Sequence, residues 1–217
     1  PYDPEEVTSL EFGFKGSLGE NTSLNASLFR YDYTDFQVLQ VVGIQTVTRN
    51  AGDATVNGLE LEALTNVSDS LTLNYGVTLL DATYGDFLNT NGLEPQLGVQ
   101  QLEGNYLSNA PKVSVNFGLN YTNILSSGSS LTYRANAAYK SKIYFSEFNE
   151  YSQDAYTIVD LNLIWESADE TFRSRFFIKN ATDEEYISGY LSSATGGGRF
   201  GQWGYPRTAG IEIQRNF

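Results

Sequence analysis

Apolar and polar residues alternate with period two over nine stretches of this chain, the pattern of strands with one apolar and one polar face. The clearest lies at 112–122. Val113, Val115, Phe117, Leu119 and Tyr121 share one parity; Lys112, Ser114, Asn116, Gly118, Asn120 and Thr122 share the other. Leu71, Leu73, Tyr75, Val77 and Leu79 alternate in the same way with Thr72, Asn74, Gly76 and Thr78. Leu10, Phe12 and Phe14 alternate with Glu11, Gly13 and Lys15, and Leu59, Leu61 and Ala63 with Glu60 and Glu62. Four further strands are expected around Leu131–Tyr139, Val159–Trp165, Phe172–Ile178 and Ala209–Phe217. One is irregular: Leu24, Ala26 and Leu28 set one parity, then Phe29, Tyr31 and Tyr33 set the other. A bulge near Leu28 and a girdle of aromatic residues both account for that switch.

The patterned stretches run to about ten residues, longer than the five or six usual in soluble sheets and close to the ~9–11 of a tilted membrane-crossing strand. Their connections alternate in length. Short ones fall at Gly19–Asn21, Val67–Ser70, Ser126–Ser130 and Ala168–Glu170, and long ones at about 37–53, 84–111, 145–154 and 181–204. A soluble sandwich has no reason to sort loop lengths by parity, whereas a membrane barrel has short periplasmic turns and long extracellular loops. The pattern therefore predicts an all-β, antiparallel transmembrane β-barrel wall rather than a soluble sheet with one wet face.

Composition narrows the chemistry. The 217 residues include 15 Tyr and 13 Phe but no Cys, His or Met, which excludes disulfides, thiolate or imidazole metal sites and a histidine base. No apolar run approaches the ~20 residues of a spanning helix. A net charge of −13 disfavours nucleic acid, which requires clustered Lys and Arg. No catalytic constellation is visible, and the chain is not expected to be an enzyme. Glu60 and Glu62 read as polar barrel wall, Gly196–Gly198 as a flexible loop, and the Asn180-Ala-Thr sequon as a chance spelling.

Several segments, in order along nearly the whole chain, resemble the C-terminal half of TonB-dependent outer-membrane receptors. Ser9-Leu10-Glu11-Phe12-Gly13-Phe14-Lys15 resembles a "yElGfK" strand, and Phe29-Arg30-Tyr31-Asp32-Tyr33-Thr34-Asp35-Phe36-Gln37 the "FyydYtdfQ" strand that follows it. Asn50-Ala51-Gly52 through Gly58-Leu59-Glu60-Leu61-Glu62 resembles "NaG.A...GlE.E". Asn109-Ala110-Pro111-Lys112, Lys179-Asn180-Ala181-Thr182-Asp183 and Pro206-Arg207-Thr208 complete the series. The resemblance implies about nine C-terminal strands of a larger barrel of the ~22-stranded plugged class. The plug domain, the N-terminal strands and the TonB box would lie upstream. It also implies a bacterial outer-membrane location and active uptake of a scarce nutrient, most often a ferric siderophore or other iron chelate, with no cofactor. The alternative is a passive porin-like or structural barrel.

The expected partners are outer-membrane lipid, the plug and N-terminal strands of the same parent chain, a TonB-type energy-coupling system and the barrel assembly machinery. Candidate ligand contacts are the aromatic and arginine side chains of the long loops: Arg49, Tyr106, Phe145, Phe148, Tyr151, Arg199 and Trp203, with Tyr190 and Phe200 beside them. Rim aromatics also serve as membrane girdles. Terminal Phe217 resembles the end of a barrel assembly signal. The loops carry Asp86, Glu94, Glu103, Glu147, Glu150, Asp154, Asp183, Glu184 and Glu185 against few bases, an anionic mouth.

Overall fold

A computed structural model describes residues 2–42, 45–50, 52–193 and 198–216. Nine wall strands form one antiparallel sheet in chain order: β1 (Glu6–Leu18), β2 (Thr22–Thr34), β3 (Ala54–Ser68), β4 (Leu71–Tyr84), β5 (Val113–Ile124), β6 (Ser130–Lys140), β7 (Tyr156–Glu166), β8 (Phe172–Lys179) and β9 (Thr208–Arg215). Each pairs with its sequence neighbours, so short turns collect at one end of the sheet and long loops at the other. Asn216 donates its backbone N–H to the Thr171 carbonyl, which puts the end of the described chain at the short-turn edge.

Directly opposed residues share a face. One face runs Phe12–Leu28–Leu59–Leu79–Val113 across the first five strands, and Leu163–Phe176–Ile211 across the last three. This face lies open: Phe12 is 67 % exposed and Ile213 75 %. Large apolar side chains left uncovered along a whole sheet belong against hydrocarbon. Near the short turns the face carries Trp165 and a stacked Tyr121–Tyr133 pair, centroids 6.2 Å apart, in keeping with an interfacial girdle. The other face is mostly polar and internally bonded, with Phe177, Ile158 and Ile164 among its apolar members. Arg134 Nε donates to Asn120 Oδ1 at 3.0 Å, Arg175 Nε donates to Asn162 Oδ1 at 2.8 Å, and Arg175 pairs with Glu212 at 3.3 Å.

Strand β2 contains no register shift against either neighbour, so its parity switch is not a bulge. Phe29, Tyr31 and Tyr33 stay on the polar inner face, while Arg30 and Asp32 continue the outer face above Leu28. The aromatic residues are therefore not a lipid girdle either. Within the described wall strands the register shifts between Asn66 and Ser68, beside a short turn. Strands β8 and β9, eight residues each, are the shortest of the nine. β8 stops because Asn180 adopts φ 48° and gives its N–H to Asp160 Oδ1. Pro206, just before β9, has no N–H to donate.

Each long connection carries a two-stranded hairpin that the alternation did not announce: Gln37–Val42 with Gln45–Asn50, Leu88–Thr90 with Val99–Gln101, Ile143–Tyr144 with Ser152–Gln153, and Ile187–Ser193 with Gly198–Trp203. The buried apolar cluster lies at the long-loop end of the wall, where β4 runs into the second loop. Tyr84, Phe87 and Leu102 form its centre, with Phe36, Val38, Leu107 and Phe148 packed around it.

Candidate functional site

Three of the short sequence patterns hold the loops in place. The Asn50 side-chain amide donates to the Asp3 and Asp35 carbonyls and its oxygen accepts the Asp3 N–H, tying the first loop to the segment before β1. Gly52 has φ 112°, and a Cβ there would overlap the Asp86 carbonyl, so only glycine lets the first and second loops meet. Asn180, 3 % exposed, donates to the Glu184 and Tyr205 carbonyls and accepts the Glu184 N–H. Asp183 accepts the Arg207 N–H at 2.9 Å and its guanidinium at 3.4 Å, closing the base of the last loop. Asn180 is thus structurally occupied.

Above these anchors the second, third and fourth loops meet around Arg199. Its guanidinium pairs with Glu94 at 2.8 Å and Glu150 at 3.5 Å, and lies 4.1 Å from the Tyr151 ring centroid. Tyr190 stacks on Tyr151 at 5.7 Å and on Phe145 at 5.5 Å, with planes 17° and 12° apart. The result is a ladder of four planar groups: Phe145, Tyr190, Tyr151 and Arg199. Glu150 also accepts the Asn91 side-chain amide, and Glu147 accepts that of Asn89. Glu94 beside it raises the Arg199 pKa, so that cation stays charged. Burial pushes the Glu147 carboxyl upward, opposed by its hydrogen bonds, and burial likewise raises the Tyr190 phenol.

Between the loops lies a polar cleft of about 120 Å³, lined by Asn89, Asn91, Glu147, Tyr151, Tyr190 and Arg199 among others. Ser146 Oγ and Arg199 Nε, on residues of its lining, are buried without a hydrogen-bond partner. Small-molecule sites usually enclose ~300–1,000 Å³. This cleft can grip a protruding group of a larger molecule but cannot enclose one.

The structure gathers Phe145, Phe148, Tyr151 and Arg199 of the expected contacts at this cleft, with Tyr190. Phe148 also packs on the buried cluster. The other candidates lie elsewhere. Tyr106 stacks on Tyr144 at 5.8 Å, accepts the Lys112 ammonium at 2.5 Å, and is held by Asn149 through both its backbone groups. Arg49 sits exposed opposite Val38 in the first hairpin. Trp203, 67 % exposed, lines a groove with Asp183, Tyr186 and Pro206. Phe200 pairs with Leu191 on the outside of the last hairpin. Phe217 falls outside the described residues. Asn89 and Asn91 were missed, since an amide in a polar loop carries no periodicity or charge to single it out. The acidic mouth is partly neutralised: two of its carboxylates, Glu94 and Glu150, share Arg199.

Residues 1–181 match the family described as TonB dependent receptor-like, beta-barrel. A probable TonB-dependent siderophore receptor, PiuA of Acinetobacter baumannii, is 28 % identical over 191 residues, covering 86 % of this chain and 24 % of its own. Among solved structures, the ferric yersiniabactin uptake receptor FyuA of Yersinia pestis superposes with a TM-score of 0.80 at 20 % identity, over 98 % of this chain and 30 % of FyuA. The PiuA structure gives 0.77 at 22 % identity, over 98 % of this chain and 28 % of PiuA. The chain thus spans less than a third of the length of the proteins it matches.

Proposed function

The chain belongs to the TonB-dependent receptor β-barrel family, and on that premise we propose that it is the C-terminal wall and part of the mouth of an active outer-membrane importer, whose cargo is a ferric siderophore or similar iron chelate. One observation carries this reading: a wall of nine antiparallel strands, apolar outside and polar inside, holds every long loop at one end, where three of them build an aromatic, polar cleft. The free edges of β1 and β9 support further strands of the same parent completing the barrel, with a plug domain against the polar face. Transport then requires energy delivered by a TonB-type partner through the upstream plug. Lipid covers the outer face.

The test is uptake of radiolabelled ferric chelates by iron-starved cells that carry the full-length parent as sole receptor. Uptake that saturates and stops when the coupling partner is deleted supports the reading. Uptake indifferent to that deletion supports a passive porin-like barrel instead.

Phe217 belongs to the same proposal, as the terminal anchor read by the assembly machinery through strand addition. Deleting it from the parent slows assembly in cells and leaves the folded barrel's stability in detergent nearly unchanged. Normal assembly with lower stability makes the residue structural only.

A further inference from the structure

Along β2 the lumen face of the wall carries three aromatic side chains at alternate positions, Phe29, Tyr31 and Tyr33. Phe29 opposes Glu11 and Gly58, Tyr31 opposes Ser9 and Val56, and Tyr33 opposes Val7 and Ala54. Phe29 and Tyr31 are stacked, centroids 5.0 Å apart and planes 22° apart. Gly58 makes that arrangement possible: a Cβ there would collide with the Phe29 ring, which lies against the backbone of β3. Upward the aromatic surface continues through Tyr33 and Phe36 to the buried Tyr84 and Phe87, with neighbouring centroids 5.2–6.1 Å apart. That upper part is packed among the loops. The Phe29–Tyr31 part is only half-buried, on the face that looks into the lumen. Beside it the wall is concave, a space of about 350 Å³ lined by Glu11, Lys15, Asn25, Ser27, Glu60 and Glu62.

An aromatic pair placed on a polar lumen wall gains nothing from hydrocarbon and does not serve as a girdle. A half-covered stacked pair offers a flat surface with a negative ring face, and a planar group can stack on it in offset geometry. The carboxylates of Glu11 and Glu60 supply acceptors at its edge and repel an anionic group. We infer that Phe29 and Tyr31 form a stacking platform on the transport path, below the loop cleft, for a planar aromatic group of the cargo that carries hydrogen-bond donors, such as a phenol or an aryl amide. The inference rests on the import reading and adds the cargo's chemical class. The platform acts after capture: it lies on the wall below the loops, so it affects passage more than binding at the mouth.

The test uses the full-length parent with Phe29→Ser and Tyr31→Ser combined, and with the conservative pair Phe29→Tyr and Tyr31→Phe. The probes are two radiolabelled ferric chelates, one carrying an uncoordinated phenol or aryl amide and one aryl-free trihydroxamate. Three readouts are taken: binding to de-energised cells on ice, energised uptake, and entry of a large antibiotic that an intact receptor excludes. The serine pair is expected to lower the maximal uptake rate of the aryl chelate by about tenfold, the scale of one lost stacking contact. Its binding on ice, antibiotic exclusion and uptake of the aryl-free chelate remain unchanged, and the conservative pair behaves as the parent. Equal loss for both chelates, or antibiotic entry, overturns the inference and makes the pair a seat for another part of the parent. Unchanged uptake of both overturns it too, while leaving the import reading intact. A parent that neither binds nor imports either chelate ends both.

Discussion

At the scale of single residues, much of this molecule's order depends on a few buried polar groups in its loops. Asn180 satisfies three backbone groups with one side chain, so Asn180→Ala leaves the Glu184 N–H and two carbonyls without partners. Each buried unsatisfied group costs about 1–3 kcal/mol. The expected outcome is a last loop that opens by about 3 kcal/mol more readily, read as protease cleavage within 180–207 while the wall stays intact. Glu147 is the opposite case, a carboxyl that burial has pushed above its ordinary value of 4.5. Its protonated form is favoured in the folded loop, so its contribution is greatest at low pH and is lost as pH rises from 4.5 through the raised value. Glu147→Gln keeps an oxygen for Asn89 and removes the charge. It should slow hydrogen exchange in 141–155 at neutral pH by about 1 kcal/mol of local opening energy, and flatten the pH dependence. Sequence could supply the names of the charged and aromatic members of the cleft, because side-chain type is visible there. It could not supply the pairing, because Arg199 and Glu94 are 105 positions apart and nothing local joins them.

At the scale of elements, alternation made all nine wall strands legible, because lipid on one side and water or protein on the other impose opposite demands on adjacent residues. The method failed where those demands lapse. Phe29, Tyr31 and Tyr33 broke the parity rule because the inner face accepts aromatics at β2. The four loop hairpins have neither a lipid face nor a long run to reveal them. The motif from Asn50 to Glu62 was recognisable as a pattern, but only the fold explains its spacing: Asn50 ties loops, Gly52 lets them touch, and Gly58 seats a ring. Gly52→Ala combines an unfavourable φ of 112° with a backbone overlap at Asp86. About 1–3 kcal/mol of strain is expected there. The result should be faster hydrogen exchange in both the first and second loops, since the contact is shared, with the wall strands unaffected.

At the scale of the whole molecule, the fold is a membrane wall whose buried cluster lies at its long-loop end. Its outer face exposes large apolar side chains below Arg30 and Asp32, and its inner face carries charges of both signs: Glu11, Lys15, Glu60 and Glu62 towards one edge, Arg134, Asp160, Arg173, Arg175 and Glu212 towards the other. All of this depends on orientation, with the loop cleft facing outside and the short turns facing the periplasm. The most direct measurement is labelling of single cysteines, introduced into the naturally cysteine-free chain within its full-length parent, by a membrane-impermeant thiol reagent on intact cells. Gly92→Cys, in the second loop at the edge of the cleft, should label fully, and Ser127→Cys, in the turn between β5 and β6, should label only after the outer membrane is permeabilised. Labelling of Ser127→Cys but not Gly92→Cys on intact cells would invert the molecule in the membrane, and equal labelling of both would contradict a membrane wall altogether.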